Sequence, residues 1–82
     1  MPDNGKTESA EVLDARGLLC PMPIVRLSKK MREMKTGAVL EIWADDEGAA
    51  SDIPAWCEKT GNQYLGTKEA TGYRCYYVRK VG

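Results

Sequence analysis

A chain of 82 residues with twelve Lys plus Arg, twelve Asp plus Glu and no His is too short for two cores. It also has no imidazole base or ligand, and with zero formal charge it can meet nucleic acid only through a local basic patch. The composition, 43% apolar and 29% charged, is that of a globular domain, and the three cysteines form neither a C-x-x-C pair nor a ligand cluster, which excludes a disulfide scaffold and a zinc module.

Residues 1–10 (MPDNGKTESA) are small, polar and charged, and are expected to form a flexible tail ahead of a single domain over 11–82. The polar start, Met1 to Glu11, lacks the apolar stretch of a signal peptide, and no run of about 18 apolar residues occurs anywhere. A cytoplasmic location with no membrane partner is therefore expected. Glu11 to Ala15 reads as a first strand that buries Val12 and Leu13 and stops at Arg16-Gly17. From Pro21 to Lys35 the residues Ile24, Leu27, Met31 and Met34 recur at steps of three and four, one face of an amphipathic helix, with Pro at its start and Gly37 beyond its end.

Ala38 to Ala44 alternates Leu40 and Ile42 with Val39, Glu41 and Trp43, as a strand does, and Asp45-Asp46 ends it. A second helix is expected to begin near Ser51 or Asp52, because Pro54 is tolerated only in a first turn. Ile53, Trp56 and Cys57 share its inner face, and Gly61-Asn62 stops it. Gln63 to Glu69 and Tyr73 to Lys80 are two further strands joined by a turn at Ala70-Thr71-Gly72. The order βαβαββ with right-handed crossovers gives a two-layer α/β sandwich. Its mixed sheet of four strands carries both helices on one face, with the last strand antiparallel. Val39, Glu41, Trp43, Cys75 and Tyr77 fall on the open face.

Cys20 is the strongest candidate for chemistry. It stands where the first loop enters the first helix, and a helix N-terminus favours an anion and lowers a thiol pKa. Pro21 and Pro23 stiffen that turn and lack N–H groups, so Met22 and Ile24 are the amides expected to face the sulfur. Position 23 is also where a dithiol oxidoreductase would carry its resolving cysteine. With proline there, Cys20 has no local partner, and its chemistry is that of a lone thiol that attacks a sulfane sulfur, holds it and gives it up. A free cysteine is otherwise a small buried hydrophobe, the reading kept for Cys57 and Cys75.

Asp45 and Asp46 end a strand parallel to the first and so fall on the edge that carries Cys20. Asp46 is a candidate for electrostatic influence on the thiol, against the plainer reading of a turn or cap residue. Arg26, Lys29, Lys30 and Arg32 give the first helix a basic face. That face is either solvated or a docking surface for an acidic protein; without interleaved aromatics, direct RNA contact is not expected.

The stretch LDARGLLCPMPIVRLSKKM, the strand ending in ADD, DIPAWCEKTGN and the closing YYVRK resemble the TusA/SirA family of small sulfur-carrier proteins over about residues 12 to 80. The Cys-Pro-x-Pro motif carries most of the likeness. The resemblance implies the same βαβαββ sandwich and no cofactor or metal. It implies a persulfide on Cys20, with Pro21 and Pro23 as motif prolines and Asp14 and Gly17 in the loop leading to it. It also implies a cysteine desulfurase or rhodanese-type sulfurtransferase as donor and a downstream acceptor protein. Relatives serve tRNA thiolation, sulfur oxidation or trafficking, and selenium or cofactor metabolism. Met22, Glu47 and Asn62 stand where the family often has an acid, a proline and a histidine, so the donor and acceptor stay open. The alternative is a regulatory or interaction module in which Cys20 is incidental or senses redox state.

Overall fold

The computed structural model describes residues 11–81, so the expected tail at 1–10 lies outside the described residues. The elements are β1 (Glu11–Asp14), α1 (Met22–Glu33), β2 (Val39–Ala44), α2 (Ala49–Thr60), β3 (Gln63–Ala70) and β4 (Tyr73–Arg79). They form one four-stranded sheet in the order β1-β2-β4-β3. β1 pairs parallel with β2, while β4 lies antiparallel between β2 and β3. The first three strands therefore run one way and the last runs back between them, as the crossover rule requires. No helix among the described residues is long and apolar enough to cross a membrane.

The core lies between the sheet and the two helices. Leu40 and Ile42 of β2, Tyr76 and Val78 of β4, Leu27 and Met31 of α1, and Ile53 and Cys57 of α2 are all buried there. The step of three and four that marks α1 in the sequence is thus the packed face. At its C-terminal end the Lys80 ammonium donates to the Met34 carbonyl at 2.6 Å, where a cation satisfies an orphan acceptor and the helix dipole together.

Parity on the outer face follows the alternation. Trp43 pairs with Cys75 and Glu41 with Tyr77, and all four side chains lie on the face away from the helices. Val12 pairs with Glu41 and so belongs to that outer face; at 49% exposure it does not share the burial expected of it, and Leu13 alone turns to the core.

α2 begins at Ala49, two or three residues earlier than expected, which leaves Pro54 inside the helix. The chain turns before the helix proper: Ala49, Ala50 and Ser51 donate to the carbonyls of Asp46, Glu47 and Gly48, a tight 3₁₀-type entry. Pro54 then sits in the second turn, still near the end where few intrahelical bonds are at stake. Gly61 closes the helix in the left-handed conformation, φ 81°, donating to the Cys57 carbonyl at 2.9 Å. β3 holds a bulge that strand periodicity does not announce: Tyr64 faces Val78 and Gly66 faces Tyr77, so Leu65 is the extra residue. Gly66 takes φ 128° at that point, a conformation side chains rarely adopt.

Candidate functional site

The loop from Asp14 to Pro21 is held at three places before it reaches Cys20. The Ala15 amide donates to the Trp43 carbonyl at 2.8 Å, extending the parallel ladder by one residue. Asp14 then turns back on Arg16, accepting from its backbone N–H at 3.1 Å and from its guanidinium Nε and Nη2 at 2.9 Å each. The guanidinium carbon lies 4.9 Å from the ring centres of both Trp43 and Tyr73, so the cation is seated on two aromatic faces. Arg16 holds the Asp14 carboxyl well below its usual range, down to about 2. Gly17 turns with φ 83° and its N–H donates to both carboxylate oxygens of Asp45, at 3.0 and 3.1 Å.

Asp14 and Gly17, the loop residues of the motif, are thereby joined to β2 and β4. The Asp-x-Arg-Gly spacing has a physical reason: the carboxylate orients the arginine, and the glycine supplies the positive φ and the free amide that Asp45 takes.

Cys20 is exposed, whereas Cys57 and Cys75 are buried. Leu19 beside it is 72% exposed and Met22 is 39% exposed, so the sulfur stands among uncovered apolar side chains. Pro21 is the N-cap residue, exposed beside the sulfur, and Pro23 is buried against the core in the first turn of α1. The Cys20–Pro21 peptide is cis.

The expected donors do not serve the sulfur. The Met22 amide donates to Leu19 O at 2.8 Å, and the Ile24 and Val25 amides both donate to Pro21 O at 3.1 Å. The first turn of α1 consumes its own N–H groups, and the sulfur faces an acid instead.

That acid is Asp52, in the first turn of α2: the Cys20 Sγ–H donates to Asp52 Oδ2 at 3.3 Å. The thiol is consequently held above its ordinary value, first through this hydrogen bond, then through desolvation and the nearby charges of Asp52 and Asp46. The lowered pKa expected from the helix position is corrected in sign, because the thiol's hydrogen bond to Asp52 favours its neutral form and the amides of the helix end are already committed.

Asp46 acts from farther off. Its Oδ2 is out of solvent with no hydrogen-bond partner among the described residues. It lies beside Gly48, where a Cβ would come within 3.0 Å of Asp46 Oδ2 and 3.5 Å of Asp52 Oδ2. The absence of a side chain at Gly48 lets the two carboxylates converge. Asp52 could not be found from motif spacing, since it stands 32 residues from the thiol and the expected helix start assigned it to capping.

The remaining candidates lie on α1. Arg26, Lys29 and Lys30 join Leu13, Val25 and Glu33 around a shallow groove of about 560 Å³ beside β1. Lys30 is spent in part on Glu11, at 2.7 Å, leaving Arg26 and Lys29 as exposed cations there. A second cleft of about 480 Å³ opens between Asp45, Asp46 and Glu47 and the β3–β4 hairpin at Glu69, Tyr73 and Arg74.

Comparison with known proteins agrees with this frame. The chain is 49% identical over 71 residues to YrkF of Bacillus subtilis, covering 87% of this chain but only 38% of that protein. It is 41% identical over 73 residues to YrkI of the same organism, covering 89% and 97%. With the sulfur carrier protein TusA of Pseudomonas entomophila it shares 43% identity over 68 residues, covering 83% and 85%. The crystal structure of a SirA-like protein from Desulfitobacterium hafniense has the same fold, with a TM-score of 0.72 at 24% identity, over 87% of this chain and 97% of that one. The family model described as Sulfurtransferase TusA matches residues 11–80, from the strand that precedes the thiol loop to the end of the sheet, and the chain belongs to that family.

Proposed function

We propose that the protein is a sulfur carrier. Cys20 accepts a sulfane sulfur from the persulfide of a cysteine desulfurase or rhodanese-type donor and relays it to a thiol of an acceptor protein, in tRNA thiolation or sulfur trafficking in the cytoplasm. The observation that carries this reading is the pairing of one exposed thiol, on a loop secured to two strands, with two buried ones. A lone accessible sulfur can form a persulfide that is not at once resolved by a neighbour into a disulfide. Membership of the TusA family supports the same role. Pro21 and Pro23 hold the turn, Asp14 and Gly17 anchor the loop, and exposed Leu19 and Met22 give a partner apolar surface beside the sulfur. Arg26 and Lys29, with Lys30, offer a basic face to an acidic donor or acceptor.

Incubation with a cysteine desulfurase and L-cysteine, followed by intact mass measurement, tests it. A gain of one sulfur atom that vanishes in Cys20→Ser is expected. Absence of that adduct with both desulfurase and rhodanese donors would overturn the reading.

A further inference from the structure

The acid against the thiol is the least expected feature of the site, and it bears on how sulfur is kept. Sγ of Cys20 and Oδ2 of Asp52 are 3.3 Å apart across the gap between the α1 entry loop and α2. The charged groups acting on the sulfur are Asp52 from α2 and Asp46 from the loop before it, and no cation among the described residues opposes them there. Both carboxylates converge on Gly48, and Asp46 Oδ2 has no hydrogen-bond partner among the described residues.

Resting on the sulfur-carrier reading, we infer that Asp52 is a catalytic residue with two effects on Cys20. Its carboxylate takes the Sγ proton as sulfur is loaded, and it then slows loss of that sulfur by making the Sγ thiolate a poor leaving group.

The balance of the loading step is simple. Sγ attacks the outer sulfur of a donor persulfide R–S–SH, an Sγ–S bond forms, and the donor S–S bond breaks with its electron pair leaving on the donor as R–S⁻. The Sγ proton passes to Asp52, so a thiol, a carboxylate and R–S–SH become Cys20–S–SH, a carboxylic acid and R–S⁻, with no net oxidation. Asp52 then releases its proton to solvent.

In the reverse sense, an incoming thiolate takes the outer sulfur and Sγ must depart as an anion beside Asp52 and Asp46. Leaving ability in such exchanges falls as the proton affinity of the departing sulfur rises, while nucleophilicity rises by roughly threefold per pKa unit. The same carboxylate therefore makes the Sγ thiolate, once its proton has been taken, the stronger nucleophile and hinders its departure. Sulfur stays on Cys20 until an aligned acceptor thiolate meets the outer atom.

Two measurements on the full chain test this. The first is the pH profile of Cys20 alkylation by iodoacetamide; the second is the rate at which Cys20, loaded with inorganic polysulfide, yields its sulfur to glutathione. In Asp52→Asn the alkylation midpoint moves to lower pH and discharge becomes at least threefold faster, while Glu58→Gln, on the far turn of the same helix, changes neither. Asp52→Ser, which also suits a helix start, serves if the Asn variant does not fold.

A variant at position 52 with the wild-type midpoint and discharge rate overturns the role of Asp52 and leaves the carrier reading standing. An equal effect from Glu58→Gln also overturns it, by reducing it to overall charge. A wild-type chain that takes no sulfur from polysulfide or desulfurase removes the carrier reading and is recognised separately, because the alkylation profile needs no sulfur.

Discussion

The amide of Gly17 is bonded to the carboxylate of Asp45, so the loop that presents the thiol and the end of β2 form one unit across 28 residues of sequence. The contact is the only side-chain hydrogen bond to the loop's backbone from outside the loop among the described residues. Asp45→Ala leaves the Gly17 N–H to water and should cost about 1 kcal/mol, which for a chain of this size lowers the thermal midpoint by roughly 4 to 8 °C. Faster hydrogen exchange at Gly17, with β4 still protected, would locate the loss in the loop; uniform acceleration would place it elsewhere.

Asp14 reports on the arginine clamp. Its folded-state pKa lies near 2 against an ordinary 3.8, so its contribution to stability is present above 3.8 and is lost as pH falls from there through about 2. In Arg16→Ala the carboxyl should rise from about 2 toward 3.8 while staying below it, because the backbone N–H of residue 16 still donates to it, and the Asp14 side-chain carbon resonance follows this. An unchanged value in that variant would assign the depression to something other than Arg16.

The three cysteines should separate cleanly by access. Brief treatment of the native protein with an alkylating reagent above neutral pH should modify Cys20 alone, and denaturation should release Cys57 and Cys75, giving three adducts by intact mass. Modification of Cys75 at a comparable rate would show that the outer sheet face opens readily.

Alkaline pH should weaken the fold through the same residues. Burial lifts the Cys57 thiol from 9.0 to about 11, so the neutral form is favoured when folded. Its contribution is complete below 9.0 and declines as pH rises through about 11, to a limit of roughly 3 kcal/mol. Cys20 and Cys75 are raised as well and act with the same sign. Urea midpoints measured from neutral pH up to 11 should therefore fall more steeply for wild type than for Cys57→Ala, even though the variant starts lower for want of packing.

Much of this was legible in the sequence where a pattern repeats. Leu27, Met31 and Met34 recur at helical spacing and are the packed side of α1; Leu40 and Ile42 alternate and are the packed side of β2. Gly17, Gly61 and Gly72 mark turns because only the backbone of glycine enters positive φ without cost. What escaped was set by single contacts. Pro54 suits a first turn, which points to a start of α2 near Ser51 or Asp52, whereas a 3₁₀ entry sets the start at Ala49. Asp52 escaped with it, since its role depends on which way the second helix presents its first turn. The bulge at Leu65 escaped because one extra residue leaves alternation on either side intact. Helix position alone points the amides of Met22 and Ile24 at the sulfur, and only the path of the turn shows that the carbonyls of Leu19 and Pro21 claim them.

The strand order has a bearing on synthesis. β4 follows the other three strands of this sheet in the chain and is the one that joins β3 to the β1–β2 pair, and Tyr73 at its start supplies one of the two rings under Arg16. A growing chain on the ribosome can form α1 and α2 but cannot close the sheet until Arg79 has left the exit tunnel. The thiol loop thus reaches its final setting only once β4 has emerged and paired, after every other element of the domain has been made.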